Sequence, residues 1–243
     1  MRDFCLNDDI ISPMSDNNQG SLAKSDIHNG EISAHLDRIN EEFRDGFEFL
    51  KKYPKSVSIF GSSQIKSDDQ MYAKAEELTG RIVREIKYAV VTGGGPGIME
   101  AANKGAYQAG GISLGMNVSL PHERNTNAYA THAIKFAYFF SRKVMLMFAA
   151  EAYVFFPGGL GTFDELFGVV TLIQTDKIPR VPVILFGSEF WNPLKSFLFD
   201  NTFKKYHMIE EKDLSIFEIT DSLDRVMEVI KGAPISEWWR NIN

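Results

Sequence analysis

Two glycine-rich runs and one cationic pair are the features whose residue types and spacing can do chemistry in this sequence. The sharper run is Pro157-Gly158-Gly159-Leu160-Gly161-Thr162-Phe163-Asp164-Glu165, directly after the apolar stretch Tyr153–Phe156. This order reads as a strand, a Gly-Gly-x-Gly turn and a helix opened by Thr162. Glycines let backbone amides approach a ligand closely, a helix N-terminus adds the positive end of its dipole, and Thr162 adds a hydroxyl. Gly158 to Thr162 therefore make a phosphate cradle. The run is not a P-loop, because no Lys-Ser/Thr pair follows at the required spacing, and it does not fit the dinucleotide Gly-x-Gly-x-x-Gly pattern cleanly. At 100° per residue, Phe163, Leu166, Phe167 and Val170 form the side expected to face the core, and Glu165 points roughly opposite, close to the cradle. Spacing alone leaves Glu165 two equal roles, catalyst or first-turn acid complementing the helix dipole.

The second run is Thr92-Gly93-Gly94-Gly95-Pro96-Gly97-Ile98-Met99-Glu100, after the stretch Ala89–Thr92. Gly94, Gly95 and Gly97 allow a second close backbone approach, and packing alone is the competing reading. In the following helix Met99, Ala102, Ala106 and Ala109 form a stripe suited to packing on a sheet. Glu100, Asn103 and Tyr107 fall on the adjacent stripe, expected to face a pocket. The cationic pair is Arg142-Lys143, inside the otherwise uncharged segment 138–148. Arg142 is flanked by aromatic and methionine side chains, and a desolvated cation needs an anionic partner, either a ligand oxygen or a structural carboxylate. Lys143 can run its stem over apolar surface and keep its amine in water. His122, in the polar loop 120–129, reads as a surface residue.

These residues need elements to hold them. Short apolar runs at Ser56–Phe60, Ala89–Thr92, Ile112–Val118, His132–Phe136, Tyr153–Phe156 and Val181–Phe186 alternate with helical segments near 70–87, 97–109, 138–151, 162–175, 190–204 and 220–231. This is the βα signature of an α/β fold, a Rossmann-like doubly wound parallel sheet in three α/β/α layers. Ligands of such sheets bind beyond the carboxyl ends of the strands, where both glycine runs fall. An amphipathic helix from Ala34, with Leu36, Ile39, Phe43, Phe47 and Leu50 at helical spacing, ends before Pro54. Residues 1–32, rich in Asp, Asn and Ser, read as a disordered leader, and 33–243 as one Rossmann-like domain. Val169 and Leu172 make the Glu165 helix apolar on two faces, which predicts a homodimer or higher homo-oligomer. Tyr206 to Met208 and Trp238-Trp239 fit either local packing or an interface.

Composition narrows the function. The 243 residues carry a net charge of −6 and a sequence pI near 5.4, which excludes holding a nucleic acid by bulk electrostatics. A single cysteine, Cys5, and the lack of a signal peptide or of a run of roughly 20 apolar residues point to a cytoplasmic protein with no membrane partner.

With Gly93-Gly94-Gly95-Pro96-Gly97-Ile98-Met99-Glu100, Ser141-Arg142-Lys143 and Pro157–Glu165 in this order, the sequence resembles the LOG ("Lonely guy") family over roughly residues 54–200. Members are cytokinin riboside 5′-monophosphate phosphoribohydrolases and related nucleotide nucleosidases, and the long termini resemble the larger bacterial-type members. The resemblance implies that amides of Gly158–Thr162 hold a 5′-phosphate and that Arg142 and Glu165 flank the ribose and its bond to the base. It also implies that Glu123, Lys143, Asp164 and Thr171 contact the nucleotide. The expected reaction turns a nucleoside 5′-monophosphate, an N6-modified adenine nucleotide or AMP, into free base and ribose 5-phosphate. No cofactor and no metal enter this expectation. The alternative is a non-catalytic nucleotide sensor or carrier on the same cradle. The lysine decarboxylase label that such proteins often carry would need a Schiff-base lysine, for which only Lys143 is near.

Overall fold

The chain is described by a computed structural model over residues 29–119 and 126–233. Seven strands, β1 Ser56–Phe60, β2 Ala89–Thr92, β3 Ser113–Val118, β4 His132–Phe136, β5 Ala152–Phe155, β6 Val183–Phe186 and β7 Phe217–Thr220, form one sheet in the order β4-β3-β2-β1-β5-β6-β7. Every pairing is parallel. The helices are α1 Asn29–Leu50, α2 Gln70–Arg81, α3 Ile98–Gln108, α4 Phe139–Phe148, α5 Leu160–Gln174, α6 Ser188–Phe197 and α7 Leu223–Gly232.

A parallel sheet buries both faces, and period-two alternation sorts side chains between them. In β5, Ala152 and Val154 join a core with Leu78 of α2, Ile98 of α3 and Val226 of α7. Tyr153 and Phe155 enter the opposite core with Met145 of α4, Leu166 of α5 and Trp191 of α6, against which Phe43 and Leu50 of α1 also pack. These two cores make the three expected layers. A fully buried side chain such as Phe155 contributes roughly 1.5–3 kcal/mol, so both layers are held firmly to the sheet. The described residues from 39 onward form one compact unit.

Differences from expectation have local causes. Helix α1 starts at Asn29, so residues 29–32, expected in the leader, are helical, with Glu31 complementing the first turn. Residues 1–28 of that leader lie outside the described residues. Helix α2 changes to a π-helical turn at Ile82–Ile86 that ends on Lys87 with φ of 61°, and α6 continues as a π-helix over Leu198–Lys205. The edge strand β7 escaped the sequence reading because it is only partly buried and carries a charge, Glu218, which is bound to Arg225. Among the described residues no helix is long and apolar enough to cross a membrane.

Strand order controls where a ligand can sit. From β1 the chain steps outward through β2, β3 and β4, and β5 then returns to the other side of β1. Loops leaving β1 and β5 therefore diverge, and a crevice opens between them beyond the strand ends.

Candidate active site

Three strand exits are tied together at this crevice. The Ser62 amide after β1 donates to the Pro157 carbonyl after β5 at 3.0 Å, and the Ile98 amide donates to the Ser62 carbonyl, also at 3.0 Å. Gly97 lies between them with φ of 70°, and a Cβ there would stand 2.3 Å from the Ser62 oxygen. Glycine is required on both counts. The result is a cavity of about 320 Å³, at the small end of ligand clefts. The β1 exit contributes Gly61, Ser62, Ser63 and Gln64, and the β5 exit contributes Gly159 to Thr162. Gly93 and Met99 form one wall, and Phe139, Arg142 and Leu146 of α4 form another.

Glu165 reaches into this cavity from the first turns of α5 and is only 4% exposed. Its Oε2 is buried and has no hydrogen-bond partner among the described residues. Burial pushes its carboxyl up to about 7, against the opposing pull of Arg142 and then Lys143. The Arg142 Nε–H donates to the Met116 carbonyl at 2.7 Å, which fixes the guanidinium plane and directs its remaining donors elsewhere. Its Nη2 lies so close to Gly93 that a Cβ there would approach to 2.2 Å, and its carbon sits 5.7 Å from the Phe139 ring centre. Burial lowers the Arg142 value, and the Glu165 charge opposes that shift.

The buried stripe of α5 is Thr162, Glu165, Leu166, Val169 and Ile173, so Glu165 lies on the sheet side, not opposite it as its spacing suggested. The helix is apolar on two faces, and periodicity could not choose between them. Phe163 turns sideways onto Trp191 of α6, ring centres 5.5 Å apart, and Phe167 remains 40% exposed. Packing on both sheet and α6 decided the rotation.

The other expected site residues divide. Gly159, Leu160, Gly161 and Thr162 line the cavity. The first helical bonds run from the Thr162 and Phe163 amides to the Gly159 carbonyl, so the Leu160 and Gly161 amides precede them and have no backbone partner among the described residues. Gly158 acts by absence, since a Cβ there would lie 2.1 Å from Thr162 Oγ1. Gly94, with φ of 73°, Gly95 and Gly97 serve the turn itself, and the Asn127 amide and side chain donate to the carbonyls of Gly94 and Gly95. None of the three lines the cavity.

Asn103 faces the sheet and not a pocket. Its Oδ1 accepts from Thr92 and Asn127, and its Nδ2 donates to Ser113 and the Leu114 carbonyl, so its hydrogen-bonding capacity is consumed. Met99, expected on the packing stripe, lines the cavity in its place. Glu100 accepts from the Tyr72 hydroxyl at 3.0 Å, away from the cavity lining. Lys143 and Asp164 pair with one another at 2.5 Å and brace α4 against α5. Thr171 is exposed nearly two turns beyond Glu165. Glu123, His122 and Trp238-Trp239 lie outside the described residues.

Sequence reasoning passed over Ser62, Ser63 and Gln64. The signal was present: Gly61-Ser62-Ser63 directly follows the first apolar strand, where a doubly wound sheet opens toward its ligand. Among the described residues no lysine lines the cavity. The Schiff-base chemistry of a pyridoxal-dependent decarboxylase therefore finds no amine there, and the nearby Lys143 is committed to Asp164.

Comparison with known proteins adds relatives. A family model described as possible lysine decarboxylase matches residues 99–230. The cytokinin riboside 5′-monophosphate phosphoribohydrolase of Rhodococcoides fascians is 26% identical over 150 residues, covering 60% of this chain and 74% of that protein. Cytokinin riboside 5′-monophosphate phosphoribohydrolase LOG5 of Arabidopsis thaliana is 28% identical over 153 residues, 62% and 67% of the two chains. Among solved structures, TM1055 superposes with a TM-score of 0.55 at 26% identity, over 73% of this chain and 98% of that one. The molybdenum cofactor binding protein of Rippkaea orientalis superposes at 0.53 with 21% identity, over 73% and 95%, a likeness of fold.

Proposed function

The chain belongs to the possible lysine decarboxylase (LOG) family, and we propose that within it this protein is a hydrolase that splits the N-glycosidic bond of a nucleoside 5′-monophosphate. One observation carries the reading: a buried carboxylate, Glu165, has an unpartnered oxygen and shares a cavity with Arg142 and a helix N-terminus. Such a group is costly to keep unless it works on a ligand. The named phosphoribohydrolases of Rhodococcoides fascians and Arabidopsis thaliana supply the bond it acts on.

In this mechanism the Leu160 and Gly161 amides and the Thr162 hydroxyl hold the phosphate at the N-terminus of α5. Phosphate binding fixes the sugar, and that remote binding energy is available to the reacting centre. As the C1′–N bond breaks, positive charge grows on the sugar, and the ionised Glu165 stabilises it. Water then forms the new bond to C1′ and gives one proton to the Glu165 carboxylate, while the leaving base nitrogen takes up a proton from solvent, and Glu165 releases its own to solvent as the site resets. Arg142 keeps Glu165 charged and binds ribose or phosphate oxygens. The apolar walls, Phe60, Met99, Phe139 and Leu146, are suited to an adenine ring or its N6 substituent. The family resemblance further implies that Glu123, Lys143 and Asp164 contact the nucleotide.

The exposed Phe139, Phe140 and Phe167 of α4 and α5 support self-association on this side of the sheet, which sedimentation velocity measures directly. Incubating the protein with AMP and an N6-prenylated AMP, each at the same concentration, and assaying ribose 5-phosphate tests the function. Release of free base from either supports it. Binding of both without product overturns hydrolysis in favour of a carrier.

A further inference from the structure

Helix α4 carries Arg142. Its N-cap residue, Tyr138, makes no side-chain cap bond. The cap comes from far away in sequence. Glu42 of α1 accepts from the Ala137 amide at 2.5 Å through Oε1 and from the Tyr138 amide at 3.3 Å through Oε2. The same Oε2 accepts from the hydroxyl of Ser141, a residue with no exposure that adjoins Arg142 in the chain. Packing extends the contact along both helices: Gly46 lies against Met145, where a Cβ would come within 2.5 Å of the sulfur, and Phe47 meets Phe148 edge-on at 5.3 Å.

We propose that Glu42 is a positioning residue for Arg142, setting the axial place and rotation of α4 so that the guanidinium reaches both the Met116 carbonyl and the cavity. The inference rests on the hydrolase reading only for its kinetic arm. Glu42 lies outside residues 99–230, which the family model matches. One carboxylate accepts three hydrogen bonds, from the N-cap amide of Tyr138, from the Ala137 amide before it and from the Ser141 hydroxyl, which gives the contact both charge and direction. An acid one turn away on α4 itself would satisfy the dipole without tying the helix to α1. Ser141 of the Ser-Arg-Lys run acquires a role here as the side-chain half of the clamp.

The experiment measures two things on the full chain for Glu42→Ala, Glu42→Gln and Ser141→Ala: kcat for base release, and protection of the Arg142 Nε–H from solvent exchange by ¹⁵N NMR. Disappearance of the signal in Arg142→Lys assigns it. Expected for Glu42→Ala is a fall in kcat of about tenfold or more, with KM changed little and Nε–H protection lost, and partial recovery of both in Glu42→Gln. A lowered Tm with wild-type kcat and an intact protected Nε–H would reduce Glu42 to a simple helix cap and overturn the proposal. Should Glu42→Ala fail to fold, Ser141→Ala decides by the same two readouts. Should the wild type release no base, the hydrolase reading fails, and the exchange measurement still decides the positioning claim.

Discussion

Glu165 works against the stability of the protein that holds it. Its folded value near 7 lies above the ordinary 4.5, so the folded state keeps its proton more tightly than the unfolded chain. Stability on this account is full below about pH 4.5 and is lost as pH rises to 7, a penalty on the order of 1–3 kcal/mol above that range. Glu165→Gln is therefore expected to raise Tm over wild type at pH 8 and to change it little at pH 4.5, by calorimetry at both values. The same substitution should slow base release by roughly 10²–10⁴-fold while nucleotide binding persists, since only the charged oxygen is removed. For the wild type, kcat/KM should rise with pH through an apparent value near 7 as Glu165 ionises. Arg142→Gln removes the attraction that holds that value down, so the rising limb should move to higher pH.

At the scale of elements, the glycines of the two strand exits do different work, and substitution separates them. Gly97→Ala meets a positive φ and the Ser62 carbonyl together, and should cost roughly 2–4 kcal/mol in urea denaturation. Gly161→Ala meets nothing within 4 Å and should leave stability near wild type. If the Leu160 and Gly161 amides hold phosphate, it should still weaken nucleotide binding severalfold by calorimetric titration, and unchanged affinity would move the phosphate elsewhere. Six of the seven strands, the layers and both glycine runs were legible because short apolar runs and Gly turns are local signals. The facing of Glu165 was not. Helix α5 is apolar on two sides, and only Trp191 of α6, distant in sequence, turns Phe163 away from the sheet. Asn103 misled for a related reason: its partners, Thr92, Ser113 and Asn127, come from three other segments. Glu42 carried no signal at all, because a cap supplied from another helix leaves the capped sequence looking uncapped.

Across the whole molecule, the crevice exists because β1 pairs on both sides, and the two pairings differ greatly in reach. Val90 of β2 meets Ser113 of β3 after 23 positions, whereas Val57 of β1 meets Ala152 of β5 only 95 positions on. Two doublings of loop length cost about 1.2 kcal/mol in closure entropy, so the ladder that builds the site is the late one. Pulse-labelled hydrogen exchange during refolding should find the Leu114 amide protected before that of Val154. For a chain emerging from a ribosome this order has a practical meaning. Until residue 152 is made and docked, β1 presents a bare, apolar strand edge to the surrounding solution, and that edge is a template for pairing with other unfinished chains. The position that later admits a ligand is thus, during synthesis, the point of greatest risk of aggregation.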